Sequence, residues 1–512
     1  MSPKPQVVHQ VQSPSSESVW LESLSSQSSY GRQAARSLAV LAVGQGGKLF
    51  LHVVSTMILA RMLVPEDFGL IAMAATVISF LVLFKDAGLT SATIQQKDLT
   101  HTQVTTLFWL NVLVGAVLAL ITLASAPLLA YAYGESALIP MVCVLAAGFF
   151  LGSFGAQHDA LMRRQMAFKW VTVSEMAALA LGVVAAISMA LAGWGWWALV
   201  AQKVVQMVSN AALNWVFCDW RPTFQFRWHE AKKQFQFGAH ISGFNFVNYF
   251  SRNGDNILIG WYWGPALLGV YAKAYDLLLG PLSQISAPLQ GMMQPLLGRL
   301  RDEPQRYRAA YLKVMVPANL AVLPIATLIF VMPEAVVHTL LGAGWEQANG
   351  VVMWLGLAVV FQMVGGSTGF VLISQQRSAD FAFLGLMSSI ITVTSFIISL
   401  PFGIQALAAC YVLTNGFIIQ PMLYYTISRK GPLGIAEFLY PLKFSLLCAG
   451  AMLPLMLVVK WGVSGLPSLV QLLLVGAVGG MGMITVLLLV KEGRQMLHGL
   501  YQAISKHMMK RG

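Results

Sequence analysis

Four ionisable residues stand close together in a chain that is otherwise poor in charge. Arg252, Asp255, Lys273 and Asp276 fall within SRNGDNILIGWYWGPALLGVYAKAYD, residues 251–276. The first two lie in one apolar segment and the last two in the next, parted only by the tight turn Trp261-Tyr262-Trp263-Gly264-Pro265. Charged side chains inside membrane-spanning segments are costly and normally face a bundle interior or a water-filled cavity. Two chemistries fit these four. Arg252 and Lys273 could hold an anion. Alternatively each could neutralise its own neighbour, because Arg252/Asp255 and Lys273/Asp276 are three apart and can meet on one helix face. Asn256, Tyr271 and Tyr275 complete the polar set, and the tyrosines fit either stacking on a sugar ring or filling a helix interface.

A second group stands in the first apolar segment, where Lys48 precedes His52 by one turn. The run Gly44-Gln45-Gly46-Gly47-Lys48 imitates a phosphate loop, but Ala42 stands where glycine is needed and Leu49 where Ser or Thr is needed. Its place inside a span removes the strand-to-helix context, so an ATPase is excluded. Lys48 is too far from either segment end to snorkel to the surface and reads as a cavity residue. Lys203 stands nearer the outer end of its segment and reads as an interfacial anchor, while Glu175 fits either role. The other histidines are scattered and the four cysteines lie far apart, so no catalytic pair, disulfide or metal site is expected, nor any cofactor.

The elements that carry these groups must be membrane helices. The chain is 57% hydrophobic and 10% charged, with a mean hydropathy of +0.68, whereas a soluble domain carries about 25% charged residues. The net charge of +12 sits between apolar segments rather than on one face, which argues against a nucleic-acid partner. Fourteen apolar segments of spanning length follow one another between residues 37 and 490. Arg and Lys cluster in alternate loops, which places both termini on the cytoplasmic side. Trp194, Trp196, Trp197, Trp261, Trp263, Trp345 and Trp461 fall at the outer ends, as an aromatic belt would.

An internal repeat organises the spans. Pro65-x-x-x-Gly69 matches Pro265-x-x-x-Gly269, and the following five residues align without a gap. The expected architecture is an all-α polytopic membrane protein of about fourteen helices: two pseudo-symmetric six-helix lobes related by an axis along the membrane normal, plus two C-terminal helices. Its divisions are a disordered, Ser-rich cytoplasmic extension over 1–36, an N-lobe over 37–218 and a cytoplasmic linker over 219–236. A C-lobe over 237–427, the last two spans within 428–490 and a basic amphipathic tail over 491–512 follow.

Arg61-Met62-Leu63-Val64-Pro65-Glu66-Asp67-Phe68-Gly69 resembles the first-loop signature of Wzx-type polysaccharide flippases in the multidrug/oligosaccharidyl-lipid/polysaccharide exporter superfamily. Gly254-Asp255-Asn256-Ile257-Leu258-Ile259-Gly260, with Leu268-Gly269-Val270-Tyr271 after it, is similar to the central signature of the branch nearest the colanic-acid exporters. The resemblance covers about residues 30 to 430 and weakens over the last two spans. It implies no enzyme, but a bacterial inner-membrane flippase for undecaprenyl-diphosphate-linked oligosaccharide in exopolysaccharide, capsule or O-antigen biosynthesis. It also implies a coupling ion, H+ or Na+, and polysaccharide polymerase or chain-length machinery as partners beside membrane lipids. On this reading Lys48, Arg252 and Lys273 bind the diphosphate. His52, Asp255, Asn256, Tyr271, Tyr275 and Asp276 are their polar partners, and Arg61, Pro65, Gly69, Gly260, Pro265 and Gly269 shape the repeat. Rival readings are a cation-coupled multidrug exporter of the same superfamily and, further off, a membrane glycosyltransferase or polysaccharide ligase. The exporter would hold its cargo with acidic residues, and the enzyme would need outer loops larger than these.

Overall fold

The computed structural model describes residues 30–85, 90, 93–94, 99–227, 249, 253–491, 493–494 and 498. The expected N-terminal extension and the C-terminal tail therefore fall almost wholly outside the described residues. So do Arg252 and most of the seventh expected span. Among the described residues every regular element is helical.

The first half comprises α1 (Tyr30–Met62), α2 (Pro65–Lys85), α3 (His101–Tyr133), α4 (Leu138–Ser153), α5 (Ala156–Arg164), α6 (Phe168–Leu191) and α7 (Trp197–Phe217). The second half begins with a helical stretch over 253–263. It continues through α8 (Pro265–Arg299), α9 (Pro304–Val331), α10 (Pro333–Leu340), α11 (Ala348–Gly365) and α12 (Ser367–Ser374). The chain then runs through α13 (Ser378–Ser399), α14 (Ile404–Thr414), α15 (Gln420–Ser428), α16 (Ile435–Gly462) and α17 (Ser468–Leu489). Eight spans, counting α11–α12, α13 with the turn that follows it, and α14–α15 as one each, are long and apolar enough to cross a membrane. The pair α4–α5, bent by 41°, makes a ninth. Helices α1, α2, α7 and α8 occupy the positions of further expected spans, and three of them carry the charges singled out above.

Local chemistry fixes the helix ends. Thr100 caps α3 with a full capping box to Gln103, and Gly134 closes it in the left-handed conformation, φ 71°. Pro65 and Pro265 open α2 and α8, where the missing N–H costs nothing. Gly264, φ 80°, supplies the turn that the 253–263 stretch needs before α8.

The two Pro-x-x-x-Gly motifs meet. α2 packs along α8, and α1 adds a smaller contact. A Cβ on Gly69 would overlap the Pro265 carbonyl, and one on Gly269 would overlap the Pro65 carbonyl. This reciprocity is what a twofold relation between two repeats produces, and it lets two backbones touch where any side chain would hold them apart. Beside the crossing, Arg61 donates to the carbonyls of Thr339 (2.6 Å) and Leu340 (3.4 Å), and Trp345 Nε1 donates to the Ala60 carbonyl at 2.9 Å. Trp345 is thus buried, with Phe68 edge-on at 5.4 Å, and does not belong to the aromatic belt expected of it. Trp194, Trp261 and Trp461 are exposed as that belt requires. Elsewhere Gly260 packs tightly, with Tyr133, Leu268 and Met73 against its open side.

Candidate functional site

The charges of α1, α6, α7 and α8 converge on one polar cavity. A chamber of about 460 Å³ is lined by Lys48, His52, Gln202, Lys203, Gln206, Lys273 and Asp276 among others. A second chamber of about 450 Å³ shares Lys48, Lys203 and Gln206 and extends to Glu175 and Asn210, away from the Arg61 end. Its walls follow from the sequence. Lys203, Gln206, Asn210 and Asn214 recur every three or four residues and make one polar stripe on α7.

Two of the three lysines are already paired. Lys48 donates to Glu175 Oε2, and Arg163 reaches Glu175 Oε1 at 2.8 Å while holding Asp159 at 2.6 Å. Lys273 Nζ lies 3.3 Å from Asp276 Oδ2, and His52 Nε2 approaches the same oxygen to 3.1 Å from the other half of the molecule. Lys273 also sits 4.9 Å above the Phe68 ring. Lys203 is different. It is exposed to the cavity and has neither hydrogen bond nor ion pair among the described residues. The interfacial anchor expected of Lys203 is thus corrected: its depth along α7 matters less than the face it occupies.

The structure brings together Lys48, His52, Lys273 and Asp276, as the sequence led one to expect, and adds Lys203 and Glu175. Asp255, Asn256, Tyr271 and Tyr275 do not line these two chambers. Asp255 is only 5% exposed, accepting from Tyr271 Oη at 3.0 Å and from the Asn256 backbone N–H at 2.8 Å. Tyr271 is fully buried and tilted against Tyr275, which bonds Tyr411, itself a partner of Gln362. Tyr271 therefore fills the helix interface rather than offering a face to a sugar, because its hydroxyl is committed to the carboxylate. Tyr271→Phe is expected to lower the thermal midpoint of the purified protein by removing a donor from a buried carboxylate, a cost of about 1–3 kcal/mol. Combining it with Asp255→Asn should recover part of the loss. No recovery in the double variant would show that Asp255 and Tyr271 are not coupled.

A cavity of about 1000 Å³ between α9, α11, α15 and α16 is lined mainly by apolar side chains with Lys443 as its sole charge. It suits hydrocarbon. No cluster of metal-ligating side chains occurs among the described residues.

Helices packed about the α2–α8 crossing, with a polar cavity beside it, define a multi-pass membrane protein of the multidrug and lipid-flippase fold. The lipid II flippase MurJ in an inward closed conformation superposes with a TM-score of 0.67, covering 87% of this chain and 97% of that one at 10% identity. An inward-facing multidrug resistance MATE family transporter gives 0.58, over 80% and 98%, at 12% identity. Within that fold the chain belongs to the polysaccharide biosynthesis protein family, whose model matches residues 58–350. The lipopolysaccharide biosynthesis protein WzxC of Escherichia coli is 23% identical over 394 residues, 75% of this chain and 78% of that protein. The succinoglycan biosynthesis transport protein ExoT of Rhizobium meliloti is 27% identical over 329 residues, 64% and 66% of the two chains. The teichuronic acid biosynthesis protein TuaB of Bacillus subtilis is 28% identical over 313 residues, 60% and 64%. The match thus spans just under two thirds of ExoT and TuaB.

Proposed function

We propose that this chain carries a lipid-diphosphate-linked oligosaccharide, of the undecaprenyl type, from the inner to the outer leaflet of the bacterial cytoplasmic membrane for polysaccharide assembly. The observation that carries the reading is the polar cavity with three lysines, of which Lys203 has no counter-ion in contact among the described residues. A diphosphate cannot enter hydrocarbon with its charge unpaired. Lys203 offers it a free cation, and Lys48 and Lys273 can turn from their carboxylates toward it, while the lipid tail stays among apolar surfaces. The two halves, residues 37–218 and 237–427, would rock about the α2–α8 crossing to expose the cavity to each side in turn, with both termini in the cytoplasm. Arg252, one segment from Lys273, remains a proposed contact, and an H+ or Na+ gradient a proposed energy source. A carrier of cationic drugs is disfavoured by the excess of lysine over carboxylate in the cavity.

Deleting the gene is expected to leave lipid-linked oligosaccharide on the cytoplasmic leaflet, cleared again by the wild-type gene. A deletion strain in which no such lipid accumulates would overturn the reading.

A further inference from the structure

The His52–Asp276 contact joins the halves of the molecule inside the cavity. His52 comes from α1 and Asp276 from α8, and both side chains keep access to the chamber, 42% and 38% exposed. Every charged group that faces them among the described residues can be named. Lys48 stands on α1, Glu175 on α6, Lys203 on α7, and Lys273 beside Asp276 on α8; α2 contributes only Phe68 and Ile71 to the lining. Behind Glu175, Arg163 and Asp159 cancel each other. Among the described residues, three lysines against two carboxylates give the lining one net positive charge while His52 is neutral, and two once it is protonated. A sugar-linked lipid diphosphate carries about two negative charges at neutral pH. Histidine is the side chain whose charge ordinarily changes between pH 5 and 8.

We infer that His52, braced by Asp276, is a proton-binding site that takes up one proton when a diphosphate enters the cavity, so that cargo and cavity charges match. This rests on the diphosphate reading above. The chemistry is a simple transfer. With Asp276 ionised, His52 Nε2–H donates to it, so the incoming proton, drawn from cavity water, adds at Nδ1. The arriving anion favours the added positive charge on His52. Binding and protonation therefore favour each other, and the sign follows: affinity rises as pH falls.

The test is calorimetry on the full-length protein in lipid nanodiscs. Farnesyl diphosphate is titrated at pH 6, 7 and 8, with two buffers of different ionisation enthalpy at each pH. Protons released or taken up by the ligand's own phosphates are common to wild type and variants, so the difference between them reads His52. Wild type should take up more protons per ligand than His52→Gln. Its affinity, relative to the variant's, should rise by up to about tenfold per unit fall in pH. Asp276→Asn, which keeps the side-chain size, should lose the same uptake and guards against a misfolded His52 variant. Equal proton uptake in wild type and both variants would overturn the proton site while leaving the diphosphate reading intact. Absence of binding to wild type at every pH would overturn both.

Discussion

Gly69→Ala and Gly269→Ala are each expected to deplete folded protein sharply, although each adds a single methyl group. The added Cβ meets the carbonyl of Pro265 or of Pro65, which is backbone and cannot swing aside like a side chain. Overpacking a well-formed interior costs about 1–3 kcal/mol, and here relief requires α2 and α8 to part along their whole contact. The hydrogen bonds of Arg61 and Trp345 across the same end would stretch with them. Membrane level and the thermal midpoint of detergent-purified protein are the measurements. Gly46→Ala is the control: nothing lies within 4 Å of its added Cβ, and alanine in a helix interior is favoured over glycine by about 0.5–1 kcal/mol. The two harmful changes should also be less than additive, because helices forced apart by one methyl already make room for the other. Full additivity, or a wild-type midpoint in either single variant, would mean that the crossing does not hold the halves together.

The motif behind that prediction was visible in the sequence, but its contact was not. Pro65-x-x-x-Gly69 and Pro265-x-x-x-Gly269 declare a repeat, yet a repeat does not say that its two copies touch. Charge told more, because an ionised group in an apolar segment is costly wherever the segment lies. Lys48, His52, Lys273 and Asp276 were therefore found from composition alone. Lys203 was misplaced because depth was weighed and rotation was not. It stands six residues into α7, near the N-terminal end of that helix, but its stripe of Gln206, Asn210 and Asn214 already fixes a polar face. The Asp255–Tyr271 bond was legible in principle, since both residues lie eight positions from Trp263 on either side of the turn that Gly264 closes. The exchange of partners around Glu175 was not, because Lys48 and Glu175 are 127 residues apart and no local pattern links them. Trp345 likewise looked interfacial, since position at a helix end does not tell a ring facing lipid from one plugging a junction.

Lys203→Gln is expected to cut export by about ten- to a hundredfold while leaving protein level unchanged. The magnitude follows from what a charged hydrogen bond to an anion contributes, about 1.5–3 kcal/mol, converted at tenfold for each 1.4 kcal/mol. Stability should hold, because Lys203 has no carboxylate in contact among the described residues and shares its cavity with Lys48 and Lys273, whose like charge it opposes. Lys203→Arg should retain most export, since charge survives and a guanidinium can grip a phosphate. Removing either of the other cavity lysines makes a different forecast. Lys48→Gln leaves Glu175 with Arg163 alone, and Lys273→Gln leaves Asp276 with His52 alone, so each loses a cation and leaves a less fully compensated carboxylate to repel the cargo. Those variants should therefore be repaired in part by Glu175→Gln and Asp276→Asn respectively, whereas no change of an acid repairs Lys203→Gln. Initial rates of oligosaccharide appearance on the outer leaflet, normalised to protein level, separate these outcomes. Export at the wild-type rate in Lys203→Gln would remove this lysine from the site and place the anion elsewhere.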